Sequence, residues 1–200
     1  MGHKAIDLHC DSVYSLAEGK DLRQENPGVH IDIPRLVKGN VGVQVFAAFV
    51  SPKVPVEGSY ACALEKLGAI GVFAGSDPRV APVETAAGCK AVMAAGKTGI
   101  LSAVENGSAI ENSLEKLEAL RRGKVRILTL VHSQHLDWIA SCTGEGPFHA
   151  GTENKNPKRG GLTRFGEKVI DAMNDMRIIP DVSHSSESAF WDVVAKSKKP

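Results

Sequence analysis

Apolar runs rich in Val, Ile and Leu recur along this chain and alternate with longer stretches of helical spacing. β-Branched residues pack well on a pleated surface, and two parallel strands need a long crossover, usually a helix, to join them. Such alternation constrains the chain to repeated βα units around a parallel sheet. Five runs qualify, at about residues 4–10, 41–50, 98–105, 125–132 and 178–183. The second, Val41 to Val50, is almost continuously apolar, as a strand covered on both faces should be.

Helical spacing fills the gaps. Ser108 followed by Glu111 has the pattern of a capping box, with Ile110, Leu114, Leu117 and Arg121 along one face. Phe165, Val169, Met173 and Met176 predict a helix over 163–176 with an apolar stripe toward the sheet. A last helix is expected from about Ser186, carrying Ala189, Phe190, Val193 and Val194 inward. The connections 12–40 and 133–160 are long, and long loops on the carboxyl face of such a sheet commonly wall a site.

The runs end on side chains that bind metals. Ala5-Ile6-Asp7-Leu8 leads to His9 and Asp11, Ile100 to Val104 leads to Glu105, Ile127 to Val131 leads to His132, and Ile178 to Val182 leads to His184. Parallel strands open their carboxyl ends on one face, so groups far apart in sequence converge there. His9 and Asp11 alternate and point the same way from an extended chain. Imidazole with carboxylate suits zinc, manganese or iron better than calcium. Glu105 has two oxygens and can bridge two ions; His132 either ligates or stabilises charge on a substrate oxygen. Asp7 is placed to orient a ligand. His30-Ile31-Asp32 repeats the spacing, but Pro34 follows and no clean strand precedes it, which favours a structural role. His3, His135 and His149 lack a strand-end setting. No G-x-S-x-G elbow supports a serine hydrolase.

Composition sets the remaining bounds. With 24 Lys and Arg against 23 Asp and Glu, the net charge of +1 gives no field favouring nucleic acid or an anionic membrane. Lys155, Lys158 and Arg159 read as a solvated loop. Cys10, Cys62, Cys89 and Cys142 contain no C-x-x-C pair and are expected to be reduced thiols. The start, Met-Gly-His-Lys-Ala-Ile-Asp, carries no apolar signal core, so a cytoplasmic location is expected. No apolar run is long enough to span a bilayer.

Taken in order, Asp7-Leu8-His9-Cys10-Asp11, His30 to Leu36 through Gly42-Val43-Gln44, Val104-Glu105-Asn106-Gly107, Leu128 to His132, Gly161-Leu162-Thr163-Arg164-Phe165-Gly166 and Asp181-Val182-Ser183-His184 resemble the renal, or membrane, dipeptidase family of zinc peptidases. The resemblance implies a (β/α)8 TIM-type barrel, commonly a homodimer. It would hydrolyse the peptide bond of dipeptides by a hydroxide bridging two Zn2+ ions, other divalent metals being possible. His9 and Asp11 would hold one zinc, Glu105 would bridge both, His184 would hold the second, and His132 would contact the substrate and stabilise the tetrahedral intermediate.

Five βα units fall short of eight, so residues 1–200 are expected to be the amino-terminal part of one metal-dependent hydrolase barrel, ending before a sixth strand. The resemblance places a second histidine for the second zinc, an arginine for the substrate carboxylate and an aspartate for proton transfer beyond Pro200. Asn106 and Ser108 stand where the family often has Gly and His. Two other readings remain open at this point: the same barrel acting on another amide, a lactone or an ester, and a noncatalytic member that binds a small ligand.

Overall fold

A computed structural model describes residues 4–144 and 160–199. His3, His149 and the basic cluster Lys155, Lys158 and Arg159 lie outside the described residues. The fold divides into two compact units, Met1–Phe49 with Leu64–Ala103, and Val50–Ala63 with Val104–Pro200.

In the first unit, β1 (Ala5–Asp7) pairs parallel with β2 (Val41–Phe49), setting Ile6 beside Val43 and Asp7 beside Gln44. Val43 through Ala48 are buried, as the unbroken apolar run requires. Between these strands lie two short helices, α1 (Val13–Ala17) and α2 (Ile33–Lys38). α2 starts where it does because Asp32, fully buried, accepts the Arg35 amide at 2.8 Å and the Asn26 amide at 3.1 Å and pairs with the Arg35 guanidinium at 2.8 Å. Asp32 of the second H-x-D copy is therefore a helix cap. After α3 (Val56–Ala74), whose first turns belong to the second unit, β3 (Val80–Pro82) and α4 (Ala86–Ala94) lead to β4 (Thr98–Glu105). β3 pairs parallel with the start of β4, and the Thr98 hydroxyl donates to the Val41 carbonyl at 2.7 Å on its other side. Gly42 is glycine because a Cβ there would stand 2.5 Å from Met93 Sδ of α4.

The second unit takes over at the end of β4. A short 3-10 turn (Gly107–Ile110) leads to α5 (Leu114–Arg122), followed by β5 (Ile127–Thr129), α6 (Arg164–Met176), β6 (Ile179–Asp181) and α7 (Glu187–Lys196). β5 and β6 are parallel, with Leu128 beside Pro180 and Thr129 beside Asp181. Each helix begins on a hydroxyl that accepts an amide from its first turn: Ser113 from Lys116, Thr163 from Gly166 and Ser186 from Ala189. Leu117, Leu120, Leu128, Leu130, Trp138, Val169, Ile170 and Met173 form the core, each such aliphatic side chain contributing on the order of 1.5–3 kcal/mol by leaving water.

The five expected strands are present, most of them shorter, and β3 is a sixth. Three residues including a proline leave no run to read. The capping box at Ser108 and Glu111 does not form: Glu111 and Asn112 have positive φ, which interrupts the helix, and Ser113 caps it instead. On α7, Ala189 and Val193 are buried, but Phe190 and Val194 are exposed. Among the described residues no helix is long and apolar enough to cross a membrane.

Candidate metal centre

β4, β5 and β6 deliver the second unit's three predicted groups. Glu105 is the last residue of β4 and 5% exposed, and its carbonyl accepts the Val50 amide at 2.9 Å. His132 lies three residues past β5, where the Leu130 amide still donates to the Asp181 carbonyl at 3.0 Å. The His132 carbonyl accepts the Ser141 hydroxyl at 2.5 Å, and Ser141 bridges antiparallel to Ser185. His184 follows β6 in a left-handed conformation, φ 63°, and its carbonyl accepts the Cys142 amide at 2.8 Å. Three strand ends and one returning segment thus fix the backbones that carry these side chains.

The side chains converge. Nε2 of His132 and Nε2 of His184 each stand 3.6 Å from Glu105 Oε1, and one donor atom from each of the three lies within 4.8 Å of the others. The two imidazoles lie against each other with ring centres 4.3 Å apart and planes tilted by 46°. At 3.6 Å the nitrogens and the oxygen are beyond hydrogen-bonding distance. Zinc bonds of about 2.0–2.1 Å in tetrahedral array place neighbouring donors about 3.4 Å apart, so this spacing fits a shared cation. His132 Nδ1 shares a hydrogen bond with Ser133 Oγ at 3.1 Å, which fixes the ring with Nε2 on the Glu105 side.

His9 and Asp11 sit in the first unit, just past β1. The Cys10 carbonyl between them accepts the Ala47 amide at 3.0 Å, and the Asp7 carboxylate accepts the His9 amide at 3.3 Å. His9 Nε2 and Asp11 Oδ1 are 3.5 Å apart, again the separation of two ligands on one zinc. Asp7 therefore orders the backbone that carries His9 and Asp11. Burial pushes the Cys10 thiol up to about 11, so it stays protonated near neutral pH and is a poor nucleophile. All four cysteines are free. His135 is taken up structurally, its Nδ1 accepting the Ser141 amide at 3.0 Å.

A family model described as membrane dipeptidase (peptidase family M19) matches residues 2–200. The chain belongs to the membrane dipeptidase family. Dipeptidase 3 of Rattus norvegicus is 29% identical over 201 residues, which cover 98% of this chain and 39% of that protein. A metallopeptidase from Rhodobacter sphaeroides, solved with a phosphinate mimic of the dipeptide L-Ala-D-Ala, is similar in structure with a TM-score of 0.83 at 23% identity, covering 98% of this chain and 63% of its own. The probable dipeptidase PvdM from Pseudomonas aeruginosa gives 0.82 at 20%, covering 98% and 50%. At these identities the likeness shows the fold, a TIM-type barrel of which this membrane dipeptidase chain spans a part.

Two residues of this family member escaped the sequence reading as site residues. Asp181 ends β6 and accepts the Thr129 hydroxyl at 2.6 Å with Oδ2, and the Ser183 amide and hydroxyl at 3.0 and 2.7 Å with Oδ1, securing the turn that holds His184. Its signal was the Asp-x-Ser-His spacing. Asn106 follows Glu105 with φ 86° and is 3% exposed. In the sequence it stood out only as a departure from the Gly that the resemblance leads one to expect.

Proposed function

We propose that this chain is the metal-binding part of a hydrolase that cleaves dipeptides at a dinuclear zinc site. The observation that carries the proposal is the convergence of Glu105, His132 and His184 at the ends of β4, β5 and β6, with the Glu105 and His184 donor atoms 3.6 Å apart, a spacing that fits a shared cation. Glu105 and His184 would hold one ion; His9 and Asp11, spaced as two ligands, would hold another, with Glu105 bridging as the family resemblance implies. Bound ions of this kind acidify water and polarise the scissile carbonyl. The protein's own contribution is to fix the ligands, and to place the His132 imidazole where it donates to the oxygen that gains charge. Hydrolysis then needs no protein nucleophile, which agrees with a protonated Cys10.

Dipeptides are the substrate class in this reading. Support comes from the family and from the dipeptide mimic held by the Rhodobacter sphaeroides relative. The assembly is proposed to be a homodimer, to be checked by sedimentation. The deciding experiment is a hydrolysis panel on the full-length protein with L-L dipeptides, L-Ala-D-Ala, lactones and N-acyl amino acids. Dipeptide cleavage that a chelator abolishes and Zn2+ restores is expected. Preference for a lactone or an N-acyl amino acid would overturn the substrate assignment, and full activity in both His9→Ala and Glu105→Ala would overturn the metal site.

A further inference from the structure

Glu105 is followed by a constrained turn. Asn106 has φ 86° and ψ 109°, outside the left-handed helical well near 57° and 47° that asparagine visits readily. Glycine reaches such a conformation freely, whereas a side chain makes it strained. Strain of this kind persists only where the surroundings over-determine it, and here they do. The Asn106 amide donates to the Thr129 carbonyl of β5 at 3.1 Å. Its side-chain Nδ2 donates to the Val50 carbonyl at 2.9 Å, and its Oδ1 accepts the Ser108 amide at 3.2 Å. Val50 in turn donates its own amide to the Glu105 carbonyl at 2.9 Å.

The two residues thus close a ring. Val50 holds Glu105 through its N–H and Asn106 through its C=O, while Asn106 is pinned to β5 from the other side. The next residue, Gly107, leaves no slack, because a Cβ there would run into the Leu130 carbonyl and, at 2.5 Å, the Trp138 ring. Between the β4 ladder and this ring, Glu105 retains only its side-chain torsions, and its carboxylate faces His132 and His184. A turn that served the fold alone would be made with less strain by glycine. The asparagine amide adds what glycine lacks, a second bond to Val50, one residue beyond the Glu105 carbonyl that the Val50 amide already holds.

We propose that Asn106 is a positioning residue that presets the Glu105 carboxylate for metal binding by clamping the exit of β4 to Val50 and β5. The inference rests on Glu105 being a metal ligand, as set out under the proposed function. Its test uses Asn106→Gly in the full-length protein, since glycine keeps the backbone conformation and the amide bond to Thr129 and removes only the side-chain bonds to Val50 and Ser108. Zn2+ is titrated in competition with a chromophoric chelator, well below the melting temperature of each variant, and the Co2+ absorption spectrum is recorded. Asn106→Gly is expected to keep its melting temperature within a few degrees while Zn2+ binding weakens about 10–100-fold, with altered Co2+ bands. Unchanged affinity and spectrum would overturn the proposal. Loss of the folded state in Asn106→Gly would also overturn it, in favour of a purely structural role. Glu105→Gln is the reference: if it binds Zn2+ as tightly as the parent, the metal assignment itself fails, a result distinct from failure of the clamp.

Discussion

The Thr129 hydroxyl on β5 donates to the Asp181 carboxylate on β6 at 2.6 Å, directly across a parallel pair whose next residues lead to His132 and His184. Thr129 is 2% exposed, so water does not replace a lost partner. Removing either member should therefore cost more than a surface bond, and removing both should cost less than the two losses added. We expect about 1–2 kcal/mol for Thr129→Val and about 2–3 kcal/mol for Asp181→Ala, with a coupling of about 0.5–3 kcal/mol in the double variant. Urea unfolding of the four proteins measures this, and simple additivity would refute the link.

Under the proposed function, Glu105 and His184 would make metal a stabilising ligand of the folded state. A ligand that binds only the native state at 100 times its dissociation constant adds about 2.7 kcal/mol. Zn2+ should raise the melting temperature of the parent protein, a chelator should reverse the rise, and Glu105→Gln should abolish most of it. An equal rise in Glu105→Gln would place the ion elsewhere.

Acid should weaken the second unit through Glu111. The Lys116 ammonium beside it, opposed by burial and helped by the Tyr60 amide at 2.9 Å, holds its carboxyl below the ordinary 4.5. A carboxyl depressed in the folded state contributes stability above its unfolded value and loses it as the pH falls from about 4.5 through the lower folded value. Glu111→Gln should cost about 1 kcal/mol at pH 7, and the gap to the parent should narrow as the pH falls through that window. Denaturant melts at both pH values report the difference; a gap constant with pH would show that the charge contributes nothing.

What the sequence disclosed depended on run length. β2 is nine residues of buried chain and α6 thirteen with a regular stripe, so periodicity found both. β3 is three residues ending in Pro82, and no pattern survives at that length. Glu105, His132 and His184 were legible because parallel strands deliver their carboxyl ends together. Asn106 and Asp181 lie within quoted motifs, but their roles were not legible, since these rest on bonds to Val50 and Thr129, more than 50 positions away in the chain. Phe190 and Val194 misled because helical spacing names a stripe without saying how wide a face the fold covers.

The two H-x-D sequences offer the sharpest contrast between ligand and scaffold. Asp32 is fully buried, caps α2 and pairs with Arg35, while the Asp11 side chain is 60% exposed and stands 3.5 Å from His9 Nε2. Removing Asp32 leaves the amides of Asn26 and Arg35 without their acceptor, a loss of about 2–4 kcal/mol, yet takes nothing from the metal ligands. Removing Asp11 leaves no buried group stranded, so the metal-free protein should unfold within about 0.5 kcal/mol of the parent while binding fewer equivalents of Zn2+. Metal content by atomic emission and unfolding in chelator, measured on both variants, should therefore separate: Asp11→Ala lowers the first and spares the second, and Asp32→Ala does the reverse. If Asp32→Ala lost zinc, or Asp11→Ala kept the full complement, the two copies would have been assigned the wrong way round.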